Sequence, residues 1–249
     1  MNNMKYKLLA LDIDGTVVKE HSNVPTGNVI QALRDINKVV DICFTSARAW
    51  KDQKIIIDLI GLKPFYHVAE NGSKIINPNF ISEYNFSISA TEAIHLLQDI
   101  TPYYVEVGFC INGIWKKEFT NQEIISTISI ISDSKEKALK LLSILQDKKN
   151  KFSITEGAHW SNPDWRVILI SHKKASKGNG LSIIQKKLNI HQNETIAVGD
   201  GVSDISTMQY AGLKIAMGNA EPELKKIVDI VVPSVIEDGL VTVINTYLK

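Results

Sequence analysis

This sequence contains little cysteine, has a low net charge and lacks long apolar segments. It holds two cysteines in 249 residues, too few for a disulfide framework, which favours a cytoplasmic protein. The formal net charge of +1 gives no electrostatic reason to expect a nucleic-acid partner. No apolar run approaches the length of a membrane span, and residues 1–7 lack the apolar segment of a signal peptide. A small molecule is therefore the expected partner, and nothing here indicates an oligomeric state.

The composition is otherwise that of a folded protein. Hydrophobic residues make up 44% of the chain and charged residues 22%, which excludes disorder as the main state. A chain of this length forms one large domain or two smaller ones with a real core. Because the sequence contains neither an internal repeat nor a low-complexity segment, its organisation must be inferred from hydrophobic periodicity.

The two ends of the chain share an alternation of strands and helices. In the first third, the pattern predicts strands over 7–13, 39–44 and 66–69 and helices over 26–37 and 47–60. In the last third, it predicts helices over 177–188, 203–211, 222–227 and 239–247 and strands over 195–198, 214–216 and 229–232. Such alternation is typical of a parallel sheet covered by helices. We expect one α/β domain with a doubly wound, mostly parallel sheet, built from residues 1–82 and 170–249.

The middle of the chain, residues 83–169, follows a different pattern. Asn112 and Gly113 separate two apolar stretches, and this dipeptide is the strongest short signal for a β-hairpin. The surrounding pattern predicts strands over 103–111, 115–119, 125–131, 152–155 and 166–171 and helices over 90–97 and 135–145. This mixture indicates an α+β module inserted into the α/β domain.

Two acidic residues follow the first predicted strand. Asp12 and Asp14 are two positions apart, and side chains at that spacing point to the same side of a strand. Two carboxylates directed at one place need either a cation between them or a proton on one of them. A tight turn is the alternative, because Asp14-Gly15 between apolar residues is also a hairpin signal.

Polar residues also follow the second predicted strand and begin a later helix. Ser46, after Thr45, fits the N-cap of the helix over 47–60, and a hydroxyl beside free amides at a helix start also suits an anion.

Lys177 falls in the first turn of its helix, where a positive charge opposes the helix dipole at a cost of about 0.3 to 1 kcal/mol. A residue that breaks a local rule is more often functional. A solvated lysine near an imprecise helix start is the alternative.

The segment 199–204 follows the predicted strand over 195–198 and contains two more acidic residues. Asp204 stands where a dinucleotide-binding loop would carry its third glycine, so such a cofactor is not expected. Asp200 and Asp204 suit a hard cation such as Mg²⁺, which takes oxygen ligands, although Ser203 and Asp204 also fit a helix start. In an open parallel sheet, ligands bind beyond the carboxyl ends of the strands, so these polar groups are expected to converge.

This set of motifs resembles the haloacid dehalogenase superfamily. Its members carry D-x-D-G-T, a Ser or Thr after the second strand, a Lys, and G-D-G-x-x-D, which match residues 12–16, Ser46, Lys177 and residues 199–204. The inserted module is similar to the type IIB cap of the Cof-like phosphatases. The resemblance spans the whole chain and implies a Rossmann-like core, with a cap over 83–169 that selects the substrate.

The resemblance implies a Mg²⁺-dependent phosphatase that acts on a small phosphomonoester, such as a sugar phosphate or a phosphoglycolate-like compound. Asp12 would attack phosphorus to form an aspartyl-phosphate, and Asp14 would carry protons to the leaving alcohol and from water. Mg²⁺ would lie between Asp12, the backbone carbonyl of Asp14 and Asp200, while Asp204 would hold Lys177 or metal-bound water. Lys177 would offset the phosphate charge.

Two other functions are compatible with the same residues. An aspartyl-phosphate that is passed to a sugar hydroxyl would make the protein a phosphotransferase or a phosphomutase. A non-catalytic binding protein on this fold is the remaining alternative, because a fold alone does not fix a function.

The resemblance also implies residues that contact the phosphate or the substrate. The implied phosphate contacts are Gly15, Thr45, Ser46, Arg48 and Asn71. The family often has Thr-Gly-Arg where Ser46-Ala47-Arg48 stands, so either Thr45 or Ser46 would hold the phosphate. Asn71-Gly72 is also explained by a hairpin turn alone.

Arginine is rare, with three among 28 basic residues, and one of the three lies in the predicted cap. Arg166 follows Trp160 and Trp165 and is a candidate for a bidentate contact with a substrate anion. Packing at the rim of the cap is the alternative.

Overall fold

The two ends of the chain form a parallel sheet, and its middle forms an antiparallel one. The computed structural model describes residues 5–19, 22–159, 161–162 and 164–248. Its strands are β1 Leu8–Leu11, β2 Asp41–Phe44, β3 His67–Ala69, β4 Lys74–Ile76, β5 Ser82–Asn85, β6 Ile88–Ser89, β7 Glu106–Ile111, β8 Ile114–Lys116, β9 Ile124–Ser132, β10 Phe152–Ala158, β11 Arg166–His172, β12 Thr195–Gly199, β13 Leu213–Ala216 and β14 Ile230–Val231. Its α-helices are α1 Gly27–Ile36, α2 Trp50–Ile60, α3 Ala90–Ile100, α4 Lys135–Gln146, α5 Lys177–Leu188, α6 Ile205–Met208, α7 Pro222–Lys225 and α8 Gly239–Tyr247.

The parallel sheet has the strand order β14-β13-β12-β1-β2. Leu11 of β1 pairs with Val198 of β12 on one side and with Phe44 of β2 on the other. The chain leaves β1 towards β2 and later returns to the opposite side of β1, so β1 lies at the switch point of the sheet. Ligand crevices in open α/β sheets lie at such points. The structure confirms the predicted α/β class.

Apolar residues cover both faces of this sheet, which explains why its strands are nearly continuous apolar runs. Leu9 packs in one buried cluster with Leu33 of α1, whereas Leu8 packs in another with Leu181 of α5. Because neighbouring residues of a strand point to opposite faces, the two clusters lie on opposite sides of the sheet. Packing on both sides fixes the place where Asp12 leaves β1.

The antiparallel sheet has the order β10-β11-β9-β7-β8, with β6 paired to β9. Leu96 of α3 and Leu141 of α4 pack in one cluster with Phe109, Ile128 and Ile168 of the strands. The two helices therefore cover one face of this sheet. This is the α+β cap that the sequence predicts, and its bounds at 83 and 169 stay a prediction.

The predicted cap hairpin is present. Ile111 and Ile114 pair across its turn. Asn112 and Gly113 have φ angles of 53° and 75°, as a tight hairpin turn with two left-handed residues requires.

The helices that follow β2 and β12 are shorter than predicted. α2 begins at Trp50 rather than at 47, with Ala49 at its N-cap and no capping side chain. The preceding segment is bonded instead to the loop after β3, where Asn71 N–H donates to the Ser46 carbonyl (3.1 Å). The helix predicted over 203–211 is shortened to α6, which follows a 3₁₀ turn at Val202–Asp204.

The third predicted strand, over 66–69, belongs to a small sheet of its own. β3, β4 and β5 pair in an antiparallel sheet, and β4 and β5 were not predicted. A single parallel bridge between Thr45 and Val68 links β3 to the end of β2. The loop after β3 therefore reaches the edge of the main sheet.

The helices are short. α4 and α5 have 12 residues each. Among the described residues, no helix combines the length and the apolar character needed to cross a lipid bilayer.

Candidate active site

The loops after β1, β2 and β12 meet at the carboxyl edge of the parallel sheet. Asp12 directly follows β1, and its N–H donates to the Val198 carbonyl of β12 (3.0 Å). Thr45 directly follows β2, and its N–H donates to the Leu11 carbonyl (2.8 Å). Asp200 is the first residue after β12. The parallel register thus brings these predicted motifs to one place.

Lys177 is buried between two of the predicted acidic residues. Its side chain is 2% exposed, and its Nζ lies 2.9 Å from Asp12 Oδ1 and 2.8 Å from Asp204 Oδ1. It is the first residue of α5, and the hydroxyl of Ser176 caps the helix by accepting from Asn179 N–H. The unfavourable position of a lysine at a helix start is offset here by two carboxylates. The solvated-lysine alternative is wrong.

These buried charges shift one another's pKa values. Burial and the Asp204 carboxylate raise the pKa of Asp12 to about 7, although Lys177 opposes the shift. Burial acts to lower the pKa of Lys177, but Asp12 and Asp204 outweigh burial and raise that pKa above its ordinary value. One lysine therefore does not fully compensate the carboxylates around it.

The carboxylates of Asp12, Asp200 and Asp204 form one cluster. One oxygen of each lies within 4.8 Å of the others. Asp204 Oδ2 accepts from the N–H groups of Asp200 and Gly201, both at 3.0 Å, while its Oδ1 accepts from Lys177. Both oxygens of Asp204 are thus committed within the protein. A donor set made only of carboxylate oxygens fits a hard divalent cation such as Mg²⁺.

Gly15 and Asn219 both adjoin the Asp200 carboxylate. Gly15 has φ 69°, and a Cβ at this position would lie 1.9 Å from Asp200 Oδ2, so a larger residue does not fit. Asn219 Nδ2 donates to the Gly15 carbonyl (2.9 Å) and to Asp200 Oδ2 (3.0 Å). Its Oδ1 accepts from Val235 N–H (2.9 Å). Asn219 is not among the residues predicted from the sequence, although it lies beyond the carboxyl end of β13, where ligand-binding residues occur in such sheets.

Gly15 is also part of a turn. Its N–H donates to the Val18 carbonyl (2.8 Å), and Asp14 forms an isolated bridge with Val18. The turn that competed with a catalytic role for Asp14-Gly15 therefore exists beside the carboxylate cluster. The N–H of Gly15, a predicted phosphate contact, already has a partner.

Asp14 is paired with Arg48 and is not one of the three clustered carboxylates. Arg48 Nε lies 2.7 Å from Asp14 Oδ2, and its Nη2 lies 2.6 Å from Asp14 Oδ1. Nη1 also donates to Asn23 Oδ1 (2.6 Å), and Nη2 to the Ser22 carbonyl (2.7 Å). Arg48 therefore orients Asp14, and its own donors are largely occupied.

Ser46 is not the helix N-cap that its sequence position suggests. Its Oγ accepts from Arg48 N–H (3.1 Å) in the loop before α2. Several buried side-chain atoms have no hydrogen-bond partner among the described residues, and they include Thr16 Oγ1, Thr45 Oγ1 and Asn71 Nδ2 in the loops of this site. Buried groups left without a partner are costly and point to a ligand or solvent that completes them. Thr45 and Asn71 are thus available as phosphate donors.

Arg166 lies where the cap meets the core. Its Nε donates to Glu156 Oε1 in the neighbouring strand β10. Its Nη2 lies 3.7 Å from Glu221 Oε2 of the core. Trp165 packs edge to face on His159, with ring centroids 5.3 Å apart. Trp160 lies outside the described residues.

The family model for haloacid dehalogenase-like hydrolases matches residues 9–124 and 111–244, two overlapping segments that cover nearly the whole chain. The chain belongs to this hydrolase family. The resemblance seen in its motifs is confirmed.

Individual relatives agree with the family model. The chain is 26% identical over 279 residues to Phosphatase YwpJ of Bacillus subtilis, covering 94% of this chain and 97% of that protein. It is 25% identical over 252 residues to 5-amino-6-(5-phospho-D-ribitylamino)uracil phosphatase YcsE of Bacillus subtilis, covering 97% and 96%. A solved haloacid dehalogenase-like hydrolase from B. subtilis has a TM-score of 0.81 at 23% identity, covering 97% of this chain and all of that chain. This last likeness shows the fold.

Within this haloacid dehalogenase-like hydrolase, the predicted site residues divide into three groups. Asp12, Lys177, Asp200 and Asp204 are in mutual contact or in one cluster. Asp14 and Arg48 form a pair at the same edge, while Thr45, Ser46 and Asn71 lie in adjoining loops. Arg166 belongs to the boundary with the cap. The role of each residue in the reaction stays a prediction.

Proposed function

We propose that this protein is a Mg²⁺-dependent phosphatase that hydrolyses a small phosphomonoester through an aspartyl-phosphate on Asp12. The observation that carries the proposal is the buried group of Lys177, Asp12 and Asp204 at the switch point of the sheet. It combines a carboxylate nucleophile with a fixed cation, in a place where ligands bind.

In the first step, an Asp12 oxygen attacks phosphorus, and the bond from phosphorus to the alcohol oxygen breaks. Asp14 gives its proton to that oxygen, so the alcohol leaves neutral. In the second step, water attacks phosphorus and gives a proton to Asp14, and the bond to Asp12 breaks. Both acids are then restored, and inorganic phosphate is released. Arg48 holds Asp14 in one orientation, outside the carboxylate cluster.

The residues around Asp12 offset the negative charge of the phosphate. Lys177 contributes a desolvated positive charge, which is worth more than an exposed one. Thr45 Oγ1 and Asn71 Nδ2 are buried donors without partners among the described residues, so a bound phosphate satisfies them at no cost to existing bonds. Ser46 Oγ accepts from Arg48 N–H and keeps its own O–H to donate, so the Ser46 and Thr45 hydroxyls both remain candidates for the phosphate contact.

The carboxylate cluster supports a metal site at Asp12 and Asp200, together with the backbone carbonyl of Asp14. Because both oxygens of Asp204 are bonded to Lys177 and two amides, we assign Asp204 to holding that lysine and the loop. Bound Mg²⁺ would lower the pKa of Asp12, raised to about 7 without it, and would neutralise phosphate charge.

The substrate is a small phosphorylated metabolite, with a sugar phosphate or a phosphoglycolate-like compound as candidates, and the expected compartment is the cytoplasm. The phosphatases named among the relatives support this class of reaction.

The test is phosphate release from sugar phosphates, phosphoglycolate and an aryl phosphate, with Mg²⁺ and with a chelator. We expect Mg²⁺-dependent release that Asp12→Asn reduces on the order of 10⁶-fold, as the loss of a nucleophile does in other enzymes. Turnover by Asp12→Asn at the parent rate would refute the mechanism. Transfer of phosphate to an added alcohol in preference to water would identify a phosphotransferase.

A further inference from the structure

The cap sheet presents two chemically different faces. Every second residue along its strands, such as Phe109, Ile128 and Ile168, packs against α3 and α4. Side chains alternate along a strand, so the residues between them form the opposite face. The strand registers divide that face into three rows of paired residues. The inner row consists of Cys110, Thr127, Ser171 and Ser153, and the middle row consists of Gly108, Ser129, Leu169 and Thr155. The outer row consists of Glu106, Ile131, Val167 and Gly157.

This second face is turned towards the core, because it touches the core at both ends. In the inner row, Thr127 Oγ1 donates to the Glu70 carbonyl (2.9 Å), next to Asn71. In the outer row, a Cβ on Gly157 would lie 3.3 Å from Glu221 Oε1, and Glu221 N–H donates to the Asp200 carbonyl (2.8 Å). The middle row therefore lies between the loop with Asn71 and the loop with Asp200.

The inner row is more buried than the middle row, although Ser153 at its end is partly exposed. Cys110, Thr127 and Ser171 of the inner row are buried by their contact with the core. Every residue of the middle row is only partly buried. The middle row thus keeps accessible surface on the face that is turned towards the core, where it can contact the non-phosphate part of a bound ester.

The middle row carries no charge. Among the described residues of the three rows, Glu106 of the outer row is the one charged residue. It is exposed, and its Oε1 lies 3.7 Å from Lys117 Nζ. The nearby cap cation, Arg166, is already paired with Glu156 and faces Glu221. A carboxylate on the leaving group would be desolvated here without a partner, whereas Ser129 and Thr155 offer hydroxyls to a hydroxyl group.

We infer that Gly108, Ser129, Thr155 and Leu169 form the surface that contacts the leaving group, and that they select a neutral hydroxyl-bearing leaving group over an anionic one. This inference rests on the proposed phosphatase function and narrows its substrate. It favours sugar and polyol phosphates over phosphoglycolate.

Pairs of esters that differ in one group test the inference. 2-Hydroxyethyl phosphate carries a hydroxymethyl group where phosphoglycolate carries a carboxylate. Glycerol 3-phosphate differs from 3-phosphoglycerate in the same way. We expect kcat/KM to favour the neutral member of each pair by about tenfold or more, the equivalent of about 1.4 kcal/mol. Equal kcat/KM values, or a preference for the anionic members, would overturn the inference.

A charge placed in the middle row should reverse the preference. Ser129→Arg should raise kcat/KM for phosphoglycolate relative to 2-hydroxyethyl phosphate by about tenfold. Ser143→Arg is the matched control, because Ser143 is exposed on α4, which covers the other face of the cap. Thr155→Lys provides a second variant if Ser129→Arg does not fold. No change in the ratio, or an equal change in the control, would contradict the assignment.

A binding measurement separates this inference from the proposed function. Calorimetric affinities of Asp12→Asn for the two esters report selection by the cap without turnover. If the parent protein releases no phosphate even from an aryl phosphate, the phosphatase function fails. If it releases phosphate but shows no preference in kinetics or binding, only the role of the middle row fails.

Discussion

The core and the cap differ in how they use polar residues. At the core edge, charged groups are buried and bonded to one another, as Lys177 is to Asp12 and Asp204. The core-facing middle row of the cap is uncharged and partly open. Groups that must keep one geometry throughout a reaction are fixed by several bonds each, whereas a surface that selects a substrate must leave room for it. This difference supports the proposed division of roles, in which the core carries out the chemistry and the cap chooses the leaving group.

The largest expected effect comes from removing the cation of the core. Lys177→Met leaves two buried carboxylates without their partner and should lower the free energy of unfolding by about 3 to 5 kcal/mol in metal-free protein. Turnover should also be lost. Urea unfolding measures the change in the free energy of unfolding. The control is Lys186→Met, which replaces an exposed lysine on the same helix. Equal stability of the two variants would show that the core charges are not coupled as described.

The second effect is a pH dependence of the core. Because the pKa of Asp12 is raised to about 7, the folded protein binds a proton there that the unfolded chain releases near pH 4. This group therefore contributes stability at pH 5 that is lost as the pH rises through 7. In urea unfolding with a chelator, the free energy of unfolding should fall more between pH 5 and pH 7 in the parent than in Asp12→Asn. Parallel profiles would contradict the raised pKa.

The third effect concerns the proposed metal site of the core. Asn219 donates to both Asp200 Oδ2 and the Gly15 carbonyl, so Asn219→Ala should weaken Mg²⁺ binding by about 10- to 100-fold. Calorimetric titration with Mg²⁺ gives the affinity directly, and the Mg²⁺ concentration for half-maximal activity should rise with it. Asn193→Ala changes an exposed asparagine before β12, at the opposite edge of the sheet, and should have no effect. An unchanged affinity would remove Asn219 from the site.

The smallest effect is expected in the cap. Arg166 is occupied by Glu156 and Glu221, so Arg166→Gln should change KM by less than about threefold for neutral and anionic esters alike. Steady-state kinetics with 2-hydroxyethyl phosphate and phosphoglycolate measures this. Glu156→Gln should behave similarly, because it breaks the same pair. A rise in KM confined to phosphoglycolate would instead make Arg166 an anion contact.

The features of the core that the sequence predicts depend on local patterns and on the parallel register. Asp12 and Asp200 follow buried apolar runs, and adjacent parallel strands bring such positions together. Lys177 conflicts with the dipole of its own helix, and the conflict is resolved by Asp12 and Asp204. In the cap, Asn112-Gly113 predicts its hairpin because the two left-handed residues specify the turn by themselves.

The features that the sequence does not predict depend on distant partners. The start of α2 is delayed because the Ser46 carbonyl bonds to the loop of Asn71, a contact that no local pattern reveals. Asn219 is a single polar residue in a short loop, and the Gly15 and Asp200 groups to which it donates are distant in sequence. The partners of Arg166 come from another strand and from the core, so its sequence neighbours say little about its charge environment.

The central claim, that Asp12 is the nucleophile of the core, is tested most directly by trapping the aspartyl-phosphate. An aryl phosphate is suitable because its leaving group needs no proton, so Asp14→Ala should still form the intermediate while its hydrolysis is slowed. Rapid quenching, borohydride reduction and peptide mass spectrometry then locate the modified residue. The account predicts conversion of Asp12 to homoserine, absent when Asp12→Asn is added. Modification of another residue, or an unmodified Asp12 during continued turnover, would contradict it.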